Sequence, residues 1–227
     1  MSADPVNPVL VQATRGGSVE SFHRGAFAVV DAAGAIVRAV GDIERPIFPR
    51  SAIKLLQALP LVASGAADAL ALSDAELALA CASHSGEAAH ASTAAGMLAK
   101  AGVDASVLEC GVHWPYNEAA QHELVRRGEQ PSALHNNCSG KHSGFVCLAC
   151  HMNGNRRDGS LRGFLSGYVQ GGHAVMREVS AAVQAATSWD LSRSACGIDG
   201  CSIPAHAVPL RHLALAFARV ASGQGLA

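Results

Sequence analysis

The sequence predicts an α+β protein, a β-sheet flanked by helices. Strand-like patterns fill the first 40 residues, helical patterns dominate the rest, and apolar residues make up 49% of the chain, enough for a sizeable core. Residues 9–13 and 19–30 show apolar positions interrupted by single polar ones, which reads as strand. Asp31-Ala32-Ala33-Gly34 is a turn signal, and the strand pattern resumes over 35–40, predicting a hairpin. Pro46 and Pro49 lead to Arg50; a helix carrying Ser51 and Lys54 follows, and Pro60 kinks or ends it. Ser73-Asp74-Ala75-Glu76 is a capping box that opens a short helix toward Cys81. Small polar residues then break the pattern as far as Gly86. Helical periodicity returns over 87–101 and stops at Gly102; a further helix over 117–127 stops at Gly128. The polar cluster Asn136 to Gly144 runs into an apolar helix over 145–152. Residues 153–162 read as an exposed loop, 173–187 as helix, 197–202 as a tight loop and 210–221 as a last helix.

Composition excludes several classes of function. Only 15% of residues are charged and the formal net charge is -1, which leaves no electrostatic footprint for nucleic acid or an anionic membrane. No apolar stretch is long and unbroken enough to span a bilayer, and the first eight residues lack the basic-then-apolar pattern of a signal peptide. Seven cysteines is an odd count without an export signal. They read as reduced thiols of a cytoplasmic protein, to be explained by packing, metal or catalysis.

Four short segments carry candidate chemistry. Ser51 and Lys54 are three apart, so on a helix they share a face, and a lysine whose pKa is lowered by burial can activate a serine hydroxyl. Leu55, Leu56, Leu59 and Leu61 would supply the apolar surroundings. S-x-x-K alone is also an ordinary helix start with a solvated lysine. Ser83-His84-Ser85, at a helix end, reads alone as a polar turn. In the segment 137–144, small residues at a predicted helix start would leave backbone N–H groups free for a carboxylate or an oxyanion. A phosphate loop is rejected there, because one glycine of the pattern is missing and His142 follows Lys141. Cys147-Leu148-Ala149-Cys150-His151 has haem-attachment spacing, but it lies on an apolar helix where cysteine acts as a small hydrophobe. In Asp199-Gly200-Cys201 the aspartate forms a turn or binds an ammonium group, and the cysteine is available to join Cys138 as a thiolate for zinc.

Taken in order, Arg50-Ser51-x-x-Lys54, Cys81-Ala82-Ser83-His84-Ser85, Asn137-Cys138-Ser139-Gly140-Lys141-His142 and Gly197-x-Asp199-Gly200-Cys201 closely resemble the rhizobial-type asparaginase family, also called L-asparaginase II. The opening Arg15-Gly16-Gly17-x-Val19-Glu20-Ser21-x-His23 resembles that family's start. The resemblance implies a single catalytic domain of the serine β-lactamase and glutaminase architecture that hydrolyses L-asparagine to L-aspartate and ammonia, with a small-molecule substrate and a second copy in a homodimer as its partners. It implies Ser51 as nucleophile, Lys54 as base, Ser83 as a partner in the proton relay, and Arg50, His142 and Asp199 around the substrate. It also implies a zinc site from Cys138, Lys141 and Cys201, where the metal orients substrate or holds loops together. Members of the family carry a further C-terminal segment with a second catalytic lysine, which has no counterpart in the 227 residues. A truncated, non-catalytic relative that keeps a ligand pocket and the zinc site is therefore the alternative. An acylase acting on β-lactams or peptides would want S-D-N and K-T-G companions, and neither occurs.

Overall fold

A computed structural model describes residues 6–154 and 159–226 and is of mixed helix and strand, an α+β fold with small sheets and flanking helices. The chain divides into two compact units, one of Met1–Pro49, Gln184–Ala195 and His206–Ala227, the other of Arg50–Val183 and Cys196–Ala205.

In the first unit the N-terminal strands form two hairpins. Strands β1 (Val9–Arg15) and β2 (Ser18–Arg24) pair antiparallel, as do β3 (Phe27–Val30) and β4 (Ile36–Val40). The single strand expected over 19–30 is broken at Gly25 and Ala26, just past the end of the β1–β2 pairing, where Gly25 N–H bonds Pro8 C=O. Asp31 Oδ1 accepts from the Ala33 and Ala35 N–H groups and shapes the expected second turn. Strand β5 (Pro46–Ile47) pairs with β8 (Val208–Pro209), and helix α10 (Leu210–Ser222) packs against β3. Gly223 ends α10 in the left-handed region, as glycine without a Cβ can.

The second unit holds most of the core. Arg50–Ile53 is a 3₁₀ turn, followed by short helices α1 (Lys54–Gln57), α2 (Leu59–Ala63) and α3 (Ala66–Ala69). Pro60 separates α1 from α2, as a residue without a backbone N–H does best near a helix start. The capping box forms in full: Ser73 Oγ accepts from Glu76 N–H while Glu76 Oε2 accepts from Ser73 N–H, opening α4 (Asp74–Ala80). Helices α5 (Ala88–Lys100) and α6 (Glu118–Arg126) follow close to their expected limits. Asn117 caps α6 through Ala120 N–H.

The central element is α7 (Ser139–Met152), in which every residue from Ser139 to Cys150 is buried. It begins six residues earlier than the apolar run suggests, so Lys141 and His142 sit on the helix itself. Helices α8 (Gly159–Leu165) and α9 (Ala174–Thr187) complete the set; α8 takes in part of the loop expected over 153–162, of which 155–158 lie outside the described residues. The tight loop at 197–202 is the tip of a short hairpin, β6 (Cys196–Ile198) with β7 (Pro204–His206). Among the described residues no helix is long and apolar enough to cross a membrane.

Helix α7 reaches its neighbours through glycine. A Cβ on Gly140 would lie 2.5 Å from both Leu79 Cγ and Leu79 O, and one on Gly144 would lie 3.3 Å from Ala80 Cβ and Leu61 Cδ2. The backbone of α4 cannot yield as a flexible side chain would. Gly140→Ala should therefore lower stability by about 3 kcal/mol or more in urea denaturation. Gly163→Ala, in open space within α8, should be neutral or stabilising by up to about 1 kcal/mol.

Candidate active site

Lys54 is the first residue of α1 and only 1% exposed, so its side chain is buried, as expected. Its Nζ lies 2.9 Å from Ala82 O, 3.3 Å from Asn137 O and 2.7 Å from Ser83 Oγ. The two carbonyls can only accept. A neutral amine would give each of them one N–H and keep its lone pair for the third neighbour, the Ser83 hydroxyl. Burial lowers the Lys54 pKa, against the opposing pull of the Cys138 thiol, and so favours that neutral form.

Ser51 is exposed on the 3₁₀ turn, directly after Arg50, whose φ of 50° lies in the left-handed region that costs a non-glycine residue energy. Among the described contacts the Lys54 amine reaches Ser83 and not Ser51. Ser51 lies on the 3₁₀ turn that runs into α1, while the Lys54 amine is held at Ser83 by the Ala82 and Asn137 carbonyls.

Of the backbone N–H groups at the start of α7, where an anion cradle is expected, four are engaged, and no bond from Gly140 or Lys141 N–H is among the described contacts. Asn137 N–H donates to His113 Nε2, Cys138 N–H to Asn136 Oδ1, Ser139 N–H to Asn136 O and His142 N–H to Cys138 O. Two side chains of the approach, His113 and Asn136, thus take up part of what the helix start would leave open. Asn136 is held in turn by Cys110 O at 2.8 Å, and His113 by Trp114 O at 2.7 Å.

Cys138, at the N-cap of α7, and Cys201, beyond β6, are brought together. The two thiols titrate as a coupled pair, so the first proton leaves easily, at about 6 on Cys138, and the second is held up to about 11 on Cys201. The nearby Lys141 and Lys54 amines add to the lowering at Cys138. Lys141 Nζ donates to Cys201 Sγ at 3.1 Å. No group of three His, Cys, Asp or Glu side chains that could hold a metal exists among the described residues; the donors gathered here are two thiols and one amine. Soft thiolates beside a nitrogen donor suit zinc. Cys147 and Cys150 stay in the core as small hydrophobes, and burial pushes the Cys147 thiol up to about 12.

Asp199 lies across from Arg50, which donates from Nη2 to Oδ1 at 2.6 Å; Gly200 N–H also donates to Oδ1 at 2.8 Å. His142 has no exposed surface. Its Nδ1 meets Tyr168 Oη at 2.7 Å, and the Tyr168 hydroxyl also accepts from Glu109 N–H at 3.0 Å. Sequence patterns did not point to Tyr168, Glu109 or His113, which lie in irregular segments with no period to read. His84 was visible but not separable from a polar turn. Its Nε2 meets Ser139 Oγ at 2.9 Å and its Nδ1 accepts from Gly86 N–H. Ser139 Oγ in turn donates to Leu134 O.

Around this site the comparison with protein families is decisive: the model of the L-asparaginase II family matches residues 11–227. At family level the match supports an asparaginase-type amidohydrolase. The chain belongs to the L-asparaginase II family. No curated protein matches it.

Burial, with help from His90 and Lys54, pushes the His84 pKa down to about 4 from its ordinary 6.5. Between those values the unfolded chain binds the extra proton and the folded one does not, so stability falls as pH drops from about 6.5 toward 4. The loss should reach about 3 kcal/mol. In urea denaturation from pH 7 to 4, wild type should lose stability relative to His84→Asn by that margin; parallel curves would show that His84 is not held neutral.

Proposed function

We propose that the protein hydrolyses L-asparagine to L-aspartate and ammonia through an acyl-enzyme formed on a serine, with Lys54 as the proton carrier. The observation that carries this reading is the buried Lys54 amine, flanked by two carbonyls and facing the Ser83 hydroxyl. Family membership supports the amide substrate.

In this reading Ser51 Oγ attacks the side-chain amide carbon, and its proton passes by way of Ser83 to the neutral Lys54. Collapse of the tetrahedral adduct breaks the C–N bond, and Lys54 returns the proton to the departing nitrogen, which leaves as ammonia. Water then attacks the ester, Lys54 takes its proton, and the serine oxygen is re-protonated as aspartate leaves. The Asp199 carboxylate would receive the substrate's α-ammonium group, with Arg50 beside it for the α-carboxylate. One contact favours a second assignment: Ser83, not Ser51, is the hydroxyl bonded to Lys54, and on that ground Ser83 would be the nucleophile.

Zinc belongs to the same reading. Cys138, Lys141 and Cys201 would hold it, and its positive charge would keep both thiols deprotonated and Lys141 neutral. A metal there ties the start of α7 to the loop that carries Asp199, which would fix the substrate ammonium site. The homodimer is a further part of the reading.

Ammonia release from L-asparagine by the purified 227-residue chain is the direct test. Ser51→Ala should lower kcat by at least about a thousandfold, and Lys54→Met comparably, with both variants folded by circular dichroism. If Ser51→Ala turns over normally while Ser83→Ala is dead, the nucleophile is Ser83. A folded wild type that releases no ammonia would favour the non-catalytic relative.

A further inference from the structure

Tyr168 and His142 form a buried pair that the proposed proton path does not use. Tyr168 and His142 each have no exposed surface. Every proton in such a place needs an acceptor, since an unmet buried donor costs the desolvation of the group. The Tyr168 oxygen already accepts from Glu109 N–H at 3.0 Å. Its own proton has one acceptor within reach in the described contacts, His142 Nδ1 at 2.7 Å. Nδ1 is then the bare nitrogen of the ring, and the ring proton sits on Nε2.

That Nε2 has no well-formed hydrogen bond, yet the group it interacts with is the Cys201 sulfur. The same sulfur accepts from Lys141 Nζ at 3.1 Å. The far end of the chain of contacts is fixed twice. Glu109 offers its backbone N–H to the tyrosine hydroxyl, and its carboxylate Oε1 accepts from Gly167 N–H at 2.7 Å. Gly167 has a φ of 76°, a left-handed conformation open to glycine, and so turns the chain into this clamp at the residue before Tyr168.

We propose that Tyr168 is a positioning residue: its hydroxyl, clamped by Glu109, holds His142 in the Nε2–H tautomer and directs that N–H at the Cys201 sulfur. A donor aimed at the sulfur fixes the direction of that side chain, as outer partners of metal-binding and reactive groups do. The effect on turnover rests on the function proposed above; the tautomer and its target do not.

The test is nitrogen NMR of the full chain labelled in histidine, with His142→Gln to assign the ring. Wild type should show His142 with Nδ1 unprotonated and Nε2 protonated. Tyr168→Phe should move the ring to the Nδ1–H form or to a mixture of the two. Cys201→Ala should shift the Nε2 resonance and leave the tautomer alone. An Nδ1–H tautomer in wild type overturns the proposal, as does an Nε2–H tautomer unchanged in Tyr168→Phe or an Nε2 resonance indifferent to Cys201→Ala. Should Tyr168→Phe fail to fold, the wild-type spectrum and Cys201→Ala still decide. None of these readouts needs turnover, so a wild type that releases no ammonia would sink the hydrolase reading alone.

Discussion

The structure of the site depends on one buried amine. Taking a lysine out of water is costly when its charge goes with it, and the cost falls if the group gives up its proton. Lys54 is placed so that losing the proton need not cost a contact: two carbonyls take N–H groups in either state, and the Ser83 hydroxyl, which accepts from the ammonium, can turn its own proton to the lone pair of the neutral amine. Fold energetics and chemistry point the same way here. A lysine whose pKa burial lowers is the more readily a base.

The carbonyls and the hydroxyl reach Lys54 through packing elsewhere. Helix α4 approaches α7 closely because Gly140 has no side chain where Leu79 presses against it. The Leu79 carbonyl also accepts from Ala82 N–H, and Ala82 and Ser83 follow directly. The glycine of the polar cluster thus fixes the position of two of the three groups around the amine. From the other side His113 and Asn136 hold the start of α7, and with it the Asn137 carbonyl. Cys138 comes next in the chain, so the amine and the thiol pair share one scaffold.

Much of this was legible in the sequence where local rules operate. The capping box before α4, the glycine stops after α5 and α6 and the turn at Asp31 form as their residues require. The four segments that resemble the asparaginase family supplied Ser51, Lys54, Ser83, Cys138, Lys141, Cys201 and Asp199, and the structure gathers Lys54 with Ser83, Lys141 with Cys201 and Arg50 with Asp199. What could not be read was set by contacts distant in sequence. The pairing of Lys54 with Ser83 spans 29 residues, and that of His142 with Tyr168 spans 26. The start of α7 was hidden because Ser139, Lys141 and His142 look like loop residues, and their burial on a helix follows from partners that no local pattern names.

The state of the Lys54 amine tests the account most directly. Lys54, Lys100 and Lys141 are the lysines of the chain, so a protein labelled with nitrogen-15 lysine gives a spectrum simple enough for Lys54→Met to assign. The Lys54 amine should lose its proton below the ordinary lysine range. An amine that stays an ammonium group up to pH 10 or so would contradict it.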